Sequence, residues 1–173
     1  MEAPKIYLAG PIFCERDRMY LDYLYDKLVA IWPEADIYAP QRNKSINDKT
    51  KSAGAIDIYE GDYARLKNTD ILIAVISGDM PPIGTTTEIG IFSELIHQDP
   101  HRKLIALLDD MREMSVTHSI LKDQAGAKEA GENQYSYCNL FLTGTIKSVG
   151  KLTVTSTELL NAFSELKKTY KSK

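Results

Sequence analysis

The chain of 173 residues is 43% hydrophobic and 26% charged, the proportions of a soluble globular protein, and its length suits one domain with a sizeable core. A net charge of -3 gives no cationic footprint for nucleic acid or for an acidic membrane surface, so neither is expected as a partner. Cys14 and Cys138 lack CxxC or metal-ligand spacing, no apolar run approaches bilayer length, and the short run from Ile6 to Phe13, broken by Gly10-Pro11, lacks a signal-peptide layout; these features predict reduced thiols in a cytoplasmic protein.

In chain order, Lys5-Ile6-Tyr7-Leu8-Ala9 reads as a first strand ended by Gly10-Pro11. From Glu15 to Trp32 the residues Leu21, Leu24, Tyr25, Leu28, Val29 and Trp32 recur at helical spacing, and Pro33 marks the stop. Asp36–Ala39 is a second strand, ended by Pro40. Gln41–Gly54 is polar and long for a βα connection, the character of a substrate loop or of disorder. A helix over Ile56–Lys67 precedes the run Asp70-Ile71-Leu72-Ile73-Ala74-Val75-Ile76, which reads as a central strand buried on both faces. The helix after it is expected over Glu88–Gln98, from the spacing of Ile89, Phe92, Leu95 and Ile96. Lys103–Leu108 is a fourth strand. Asp109–Gln134 is charged and irregular, with a short helix expected near Ser119–Asp123. A helix over Tyr137–Val149, a strand over Lys151–Thr155 and an amphipathic helix over Glu158–Tyr170 close the chain. Strands alternating with helices predict a flavodoxin-like, doubly wound sheet of about five parallel strands with helices on both faces, as one domain over residues 1–173.

The chemistry narrows by exclusion. The first βα turn holds one glycine, Gly10, and no GxGxxG, so a dinucleotide cofactor is not expected; no cofactor is. Pro100 separates His97 from His101, His118 stands alone, and no metal site is expected. No GxSxG or Cys–His arrangement supports a hydrolase triad. Carboxylates remain: Asp62 before the central strand, Asp79 just beyond it, and Glu88 in the following turn, with Asp70 at the strand's far end. Each has a plain reading as a solvated acid, a turn former or a cap. Thr85-x-x-Glu88 in particular matches a capping box, in which Glu88 satisfies a free N–H at the helix start. The alternative makes Glu88 a nucleophile, held ionised by the helix dipole, with Gly84 and Gly90 leaving room for a ligand. Carboxylates grouped at the ligand edge of such a sheet, without metal-ligand spacing, suit chemistry at a glycosidic carbon.

Four stretches in order, Lys5–Phe13, Asp62–Asp70, Gly84–Gly90 and Asn139-Leu140-Phe141, cover most of the chain and together resemble the nucleoside 2-deoxyribosyltransferases. The resemblance implies that Glu88 attacks C1′ of a 2′-deoxynucleoside, forms a deoxyribosyl ester, and passes the sugar to a second base with net retention. It implies that Tyr7 orients or tunes Glu88, that Asp62 and Asp79 contact sugar or base, and that one of these acids protonates the departing base. It also implies that Phe13 and Gly10 border the pocket, that the Gln41–Asn43 region borders the base, and that Gly84 lies in the glutamate loop. Asn139 is implied to bind the 5′-hydroxyl in a neighbouring subunit's site, which makes the active unit a homo-oligomer, a dimer or a hexamer built of dimers. Phe141 stands where members often carry methionine, a change at the base pocket rather than at the sugar chemistry. The implied partners are small deoxynucleosides and free nucleobases.

Two other readings compete. An N-glycosidase of deoxynucleoside 5′-monophosphates would share the Tyr, Asp and Glu framework and would need phosphate donors such as Thr85, Thr86, Thr87, Arg16 or Arg18. A receiver-like signalling module would use Asp79 as phosphoacceptor, yet strand one ends in Ala9-Gly10-Pro11 rather than in acidic residues.

Overall fold

The computed structural model describes residues 3–43, 54–76, 81–110 and 138–170. Its strands are β1 (Lys5–Ala9), β2 (Asp36–Tyr38), β3 (Ile71–Val75), β4 (Lys103–Leu107) and β5 (Lys151–Thr153). All pair in parallel, in the order β2-β1-β3-β4-β5. The helices are α1 (Glu15–Ile31), α2 (Ala55–Lys67), α3 (Ile83–Gln98), α4 (Leu140–Val149) and α5 (Ser156–Thr169), and a 3-10 turn, Pro40–Arg42, follows β2. The expected flavodoxin-like α/β architecture is the observed one.

The period-two alternation of the strands divides the core. Ile6, Leu8, Ile71, Ile73 and Val75 face Leu21, Leu24 and Leu28 of α1 and Leu159 and Phe163 of α5. Tyr7, Ala9, Leu72 and Ala74 face Leu66 of α2, Ile89 and Phe92 of α3 and Ile146 of α4. Every residue of β3 is buried, as a central strand covered on both faces requires. The direction of strand progression reverses between β1 and β3, the position at which open α/β sheets form a ligand crevice beyond the carboxyl ends of their strands.

One boundary differs from expectation in a way that matters. Helix α3 begins at Ile83, with Pro82 at its N-cap and no side chain capping it, and not at Glu88. Gly84 and three β-branched threonines have weak helix propensity, which makes this stretch read as a loop. Tertiary packing overrides that preference. Thr85 is buried, the Thr86 N–H bonds the Pro82 carbonyl at 2.9 Å, and the hydroxyls of Thr86 and Thr87 donate back to the Ile83 carbonyl at 2.7 and 3.0 Å. The capping-box reading of Glu88 is therefore incorrect: the first turn holds no acidic residue, and Glu88 lies in the second turn. The other ends shift by a residue or a few. Helix α4 starts at Leu140 rather than Tyr137, because Asn139 caps it by accepting from the Phe141 and Leu142 N–H groups at 2.9 and 3.3 Å. The helix expected near Ser119–Asp123 and most of the Gln41–Gly54 loop lie outside the described residues. No described helix is long and apolar enough to cross a membrane.

Between α4 and β5 the chain passes so close to β4 that a Cβ on Gly150 would sit 2.5 Å from the Leu104 carbonyl oxygen and 2.7 Å from its Cβ. That backbone belongs to a paired strand and has little freedom to retreat. Gly150→Ala is expected to destabilise the protein by about 1–3 kcal/mol through overpacking, read as a lowered urea midpoint with the slope unchanged.

Candidate active site

The site is assembled from four elements around the β1/β3 crevice. Tyr7, third residue of β1, is wholly buried and points to the α2–α3 side of the sheet. Glu88 stands on α3 one turn after the buried Thr85 and one before the buried Phe92, so it shares their inward face. The Tyr7 hydroxyl donates to Glu88 Oε1 at 2.6 Å across a sequence separation of 81 residues. Asp62 lies on α2 one turn before the buried Leu66, half-buried, and its Oδ1 accepts from the Tyr38 hydroxyl at 3.3 Å. Tyr38 ends β2, directly beside Tyr7 in the parallel register, with ring centroids 5.1 Å apart.

Burial and mutual charge set the electrostatics. Glu88 is pushed up to about 7, first by loss of solvent and further by the negative charge of Asp62, while the Tyr7 hydroxyl bond pulls it down. Near neutrality Glu88 is thus close to half protonated. Asp62 is itself raised by burial, against hydrogen bonding from Tyr38 and Tyr7. The Tyr7 phenol is driven far above its ordinary range by burial and by the adjacent carboxylate, so it stays a proton donor. The arrangement supplies a desolvated carboxylate with one oxygen held by Tyr7, beside a second acid that can carry a proton.

The remaining sequence candidates have their own surroundings. Space at Gly10 is tight: a Cβ there would meet Leu21 Cδ2 at 2.7 Å and Val75 Cβ at 3.2 Å. Gly84 is inside α3, and a Cβ on it or on Gly90 would meet nothing within 4 Å. Gln41 sits in the 3-10 turn, its amide 3.4 Å from Asp22 Oδ1. Phe13, at 96% exposure, and Phe141, at 86%, leave large apolar rings open to solvent. Asn139 and Phe141 stand at the start of α4, which the chain's reversal from α4 into β5 puts at the same sheet edge. Asp79 lies outside the described residues. Among the described residues no group of three His, Cys, Asp or Glu side chains is placed to hold a metal.

Sequence reasoning missed Tyr38 and Arg65. Arg65 places its guanidinium 5.1 Å from the Tyr38 ring centroid, and both line a cavity of about 280 Å³ with Tyr25, Arg42 and Asn43. A larger cavity, about 420 Å³, opens by His97, Lys103, Lys147 and Gly150 at the opposite edge of the sheet, away from the carboxylates. The available signal for Tyr38 was its position, last in a strand and on the face parity of Tyr7.

The family model for nucleoside 2-deoxyribosyltransferases matches residues 6–159. A search of curated proteins returned no match. Among solved structures the chain is similar to a conserved protein from Enterococcus faecalis V583, with 29% identity, a TM-score of 0.75, and coverage of 94% of this chain and 98% of that one. A 2-desoxiribosyltransferase from Leishmania mexicana shares the fold at 22% identity and TM-score 0.59, covering 94% of this chain and 97% of that one. So does a 2-deoxyribosyltransferase from the psychrotolerant bacterium Bacillus psychrosaccharolyticus, at 17% identity and TM-score 0.59, covering 91% and 90%. With the match spanning nearly the whole chain, this protein belongs to the nucleoside 2-deoxyribosyltransferase family.

Proposed function

We propose that the protein exchanges nucleobases on 2-deoxyribose by a double displacement through Glu88. The observation that carries this reading is the buried Tyr7–Glu88 hydrogen bond, 2.6 Å long, with Asp62 beside it at the ligand crevice of the sheet. In the first half-reaction the C1′–N bond breaks, its electron pair passing to the base nitrogen, which takes a proton from Asp62. A Glu88 carboxylate oxygen forms the C1′–O ester. In the second, a nitrogen of the incoming base attacks C1′, the ester pair returns to Glu88, and the proton shed by that base goes to Asp62. Two inversions give net retention.

Positive charge gathers on the sugar as the base departs, and a carboxylate in a poorly solvated site stabilises it before trapping it. Burial raises Asp62 and so favours its protonated form, the form that donates to the leaving base. Tyr7 occupies one Glu88 oxygen and leaves the other for C1′. Asp79 is proposed as a further substrate contact. Phe13 and Phe141 are proposed to be covered when substrate and a second copy of the chain assemble the pocket, with Asn139 of each copy serving the other's site.

Free nucleosides are favoured over 5′-monophosphates as donors. The Thr86 and Thr87 hydroxyls are turned to the Ile83 carbonyl, and Arg18 donates to the Ile12 and Phe13 carbonyls at 3.0 and 3.2 Å. Purified protein given deoxyinosine with and without adenine, followed by chromatography, tests the reading. Deoxyadenosine forming only with adenine supports exchange. Hypoxanthine and free deoxyribose released equally in both, or turnover restricted to the 5′-monophosphate, would make the enzyme an N-glycosidase instead.

A further inference from the structure

We propose that Tyr38 is a positioning residue for Asp62, holding that carboxyl group in place for proton exchange with the base; the inference rests on the role given to Asp62 above. The parallel register sets Tyr38 beside Tyr7, so β2 delivers its last side chain to the same crevice. The Tyr38 hydroxyl has one proton to give. Asn43 Nδ2, which can only donate, bonds that hydroxyl at 3.1 Å, so its proton points away from Asn43 and to Asp62 Oδ1 at 3.3 Å. The relay thus has one direction, Asn43 to Tyr38 to Asp62. It fixes one carboxyl oxygen, Oδ1, and with it the orientation of the group.

The relay is anchored at both ends. Arg65, one turn beyond Asp62 on α2, lies against the Tyr38 ring. Arg42, next to Asn43, bonds Asp22 Oδ1 at 2.7 Å and Asp26 Oδ1 at 3.2 Å and stacks 3.9 Å from the Tyr25 ring centroid, tying the 3-10 turn to α1. A side chain needed only for packing would not require this chain of donors.

The experiment compares two donors in single-turnover base release. Deoxyinosine needs its base protonated. 7-Methyl-2′-deoxyguanosine already carries the positive charge and releases a neutral base with no proton supplied. Tyr38→Phe keeps the ring and removes the hydroxyl. It is expected to slow hypoxanthine release about tenfold to thirtyfold while leaving 7-methylguanine release within about threefold of the parent. Asn43→Ala, which leaves Tyr38 intact, is expected to show a weaker loss with the same selectivity, and it secures the test if Tyr38→Phe folds poorly. Equal slowing on both donors would assign Tyr38 a merely structural role and overturn the proposal. No slowing by Tyr38→Phe, with Asp62→Asn still selectively impaired on deoxyinosine, would overturn the positioning role alone. Asp62→Asn showing no selectivity between donors would remove Asp62 as the acid, and this inference with it.

Discussion

Replacing Glu88 by glutamine is expected to abolish base exchange and to stabilise the substrate-free protein at neutral pH. The amide keeps the shape and can still accept from the Tyr7 hydroxyl, but it cannot form the ester, and a loss of at least about a thousandfold in turnover follows for a nucleophile. The stability effect has the opposite sign. Glu88 is held at about 7 in the folded protein against an ordinary 4.5, so the folded state binds the proton more tightly than the unfolded one. The stability it contributes is complete below about pH 4.5 and is lost as pH rises through about 7. Above that, an ionised, poorly solvated carboxylate destabilises the fold by an amount on the order of 3 kcal/mol. Glu88→Gln removes this cost. Its melting temperature is expected to exceed the parent's by roughly 5–10 °C at pH 8, with the difference shrinking toward pH 4.5. Differential scanning calorimetry across pH 4.5–8 without substrate checks it. A variant that is inactive yet less stable at pH 8 would mean that Glu88 is not a desolvated charge in the resting protein.

The combination of lost activity and gained stability is what separates a functional carboxylate from a structural one. A carboxylate retained for structure contributes more when ionised than its amide does. Glu88 does the reverse, since its burial opposes the charge that the proposed chemistry uses.

The architecture was legible because each signal had one dominant physical cause. Ile71–Val75 reads as a central strand since both of its faces are covered, and α1 reads from Leu21, Leu24 and Leu28 because one stripe meets the sheet. The start of α3 was not legible. Gly84-Thr85-Thr86-Thr87 has the local preference of a loop, and what makes it helical, the burial of Thr85 and the threonine hydroxyls on Ile83, is visible only in three dimensions. The same error made Glu88 a capping residue in the local pattern. The candidate site was legible in part. Tyr7, Asp62 and Glu88 could be named from motifs spread along the chain, but not their geometry. Tyr38 carries no motif, since its place beside Tyr7 depends on the β1–β2 register, which the residues between Ala9 and Asp36 do not encode locally.

Tyr7→Phe tests whether the buried hydroxyl sets the ionisation of Glu88. That hydroxyl donates at 2.6 Å to a carboxylate oxygen, and the bond favours the charged form, holding Glu88 lower than burial alone would. A hydrogen bond to a charged group is worth roughly 1.5–3 kcal/mol, or about one to two pKa units. Its removal therefore raises Glu88 further above 7, and the carboxylate becomes the minor form at neutral pH. The acid limb of kcat/KM, which follows the free enzyme, is expected to move up by about one unit or more, and activity at pH 7 to fall about 10–100-fold. Exchange between deoxyinosine and adenine over pH 5–10 measures both effects. A loss of equal size at every pH, with the limb unmoved, would make Tyr7 a steric support of the pocket. A shifted limb would identify the buried phenol as the group that keeps a desolvated nucleophile ionised enough to react.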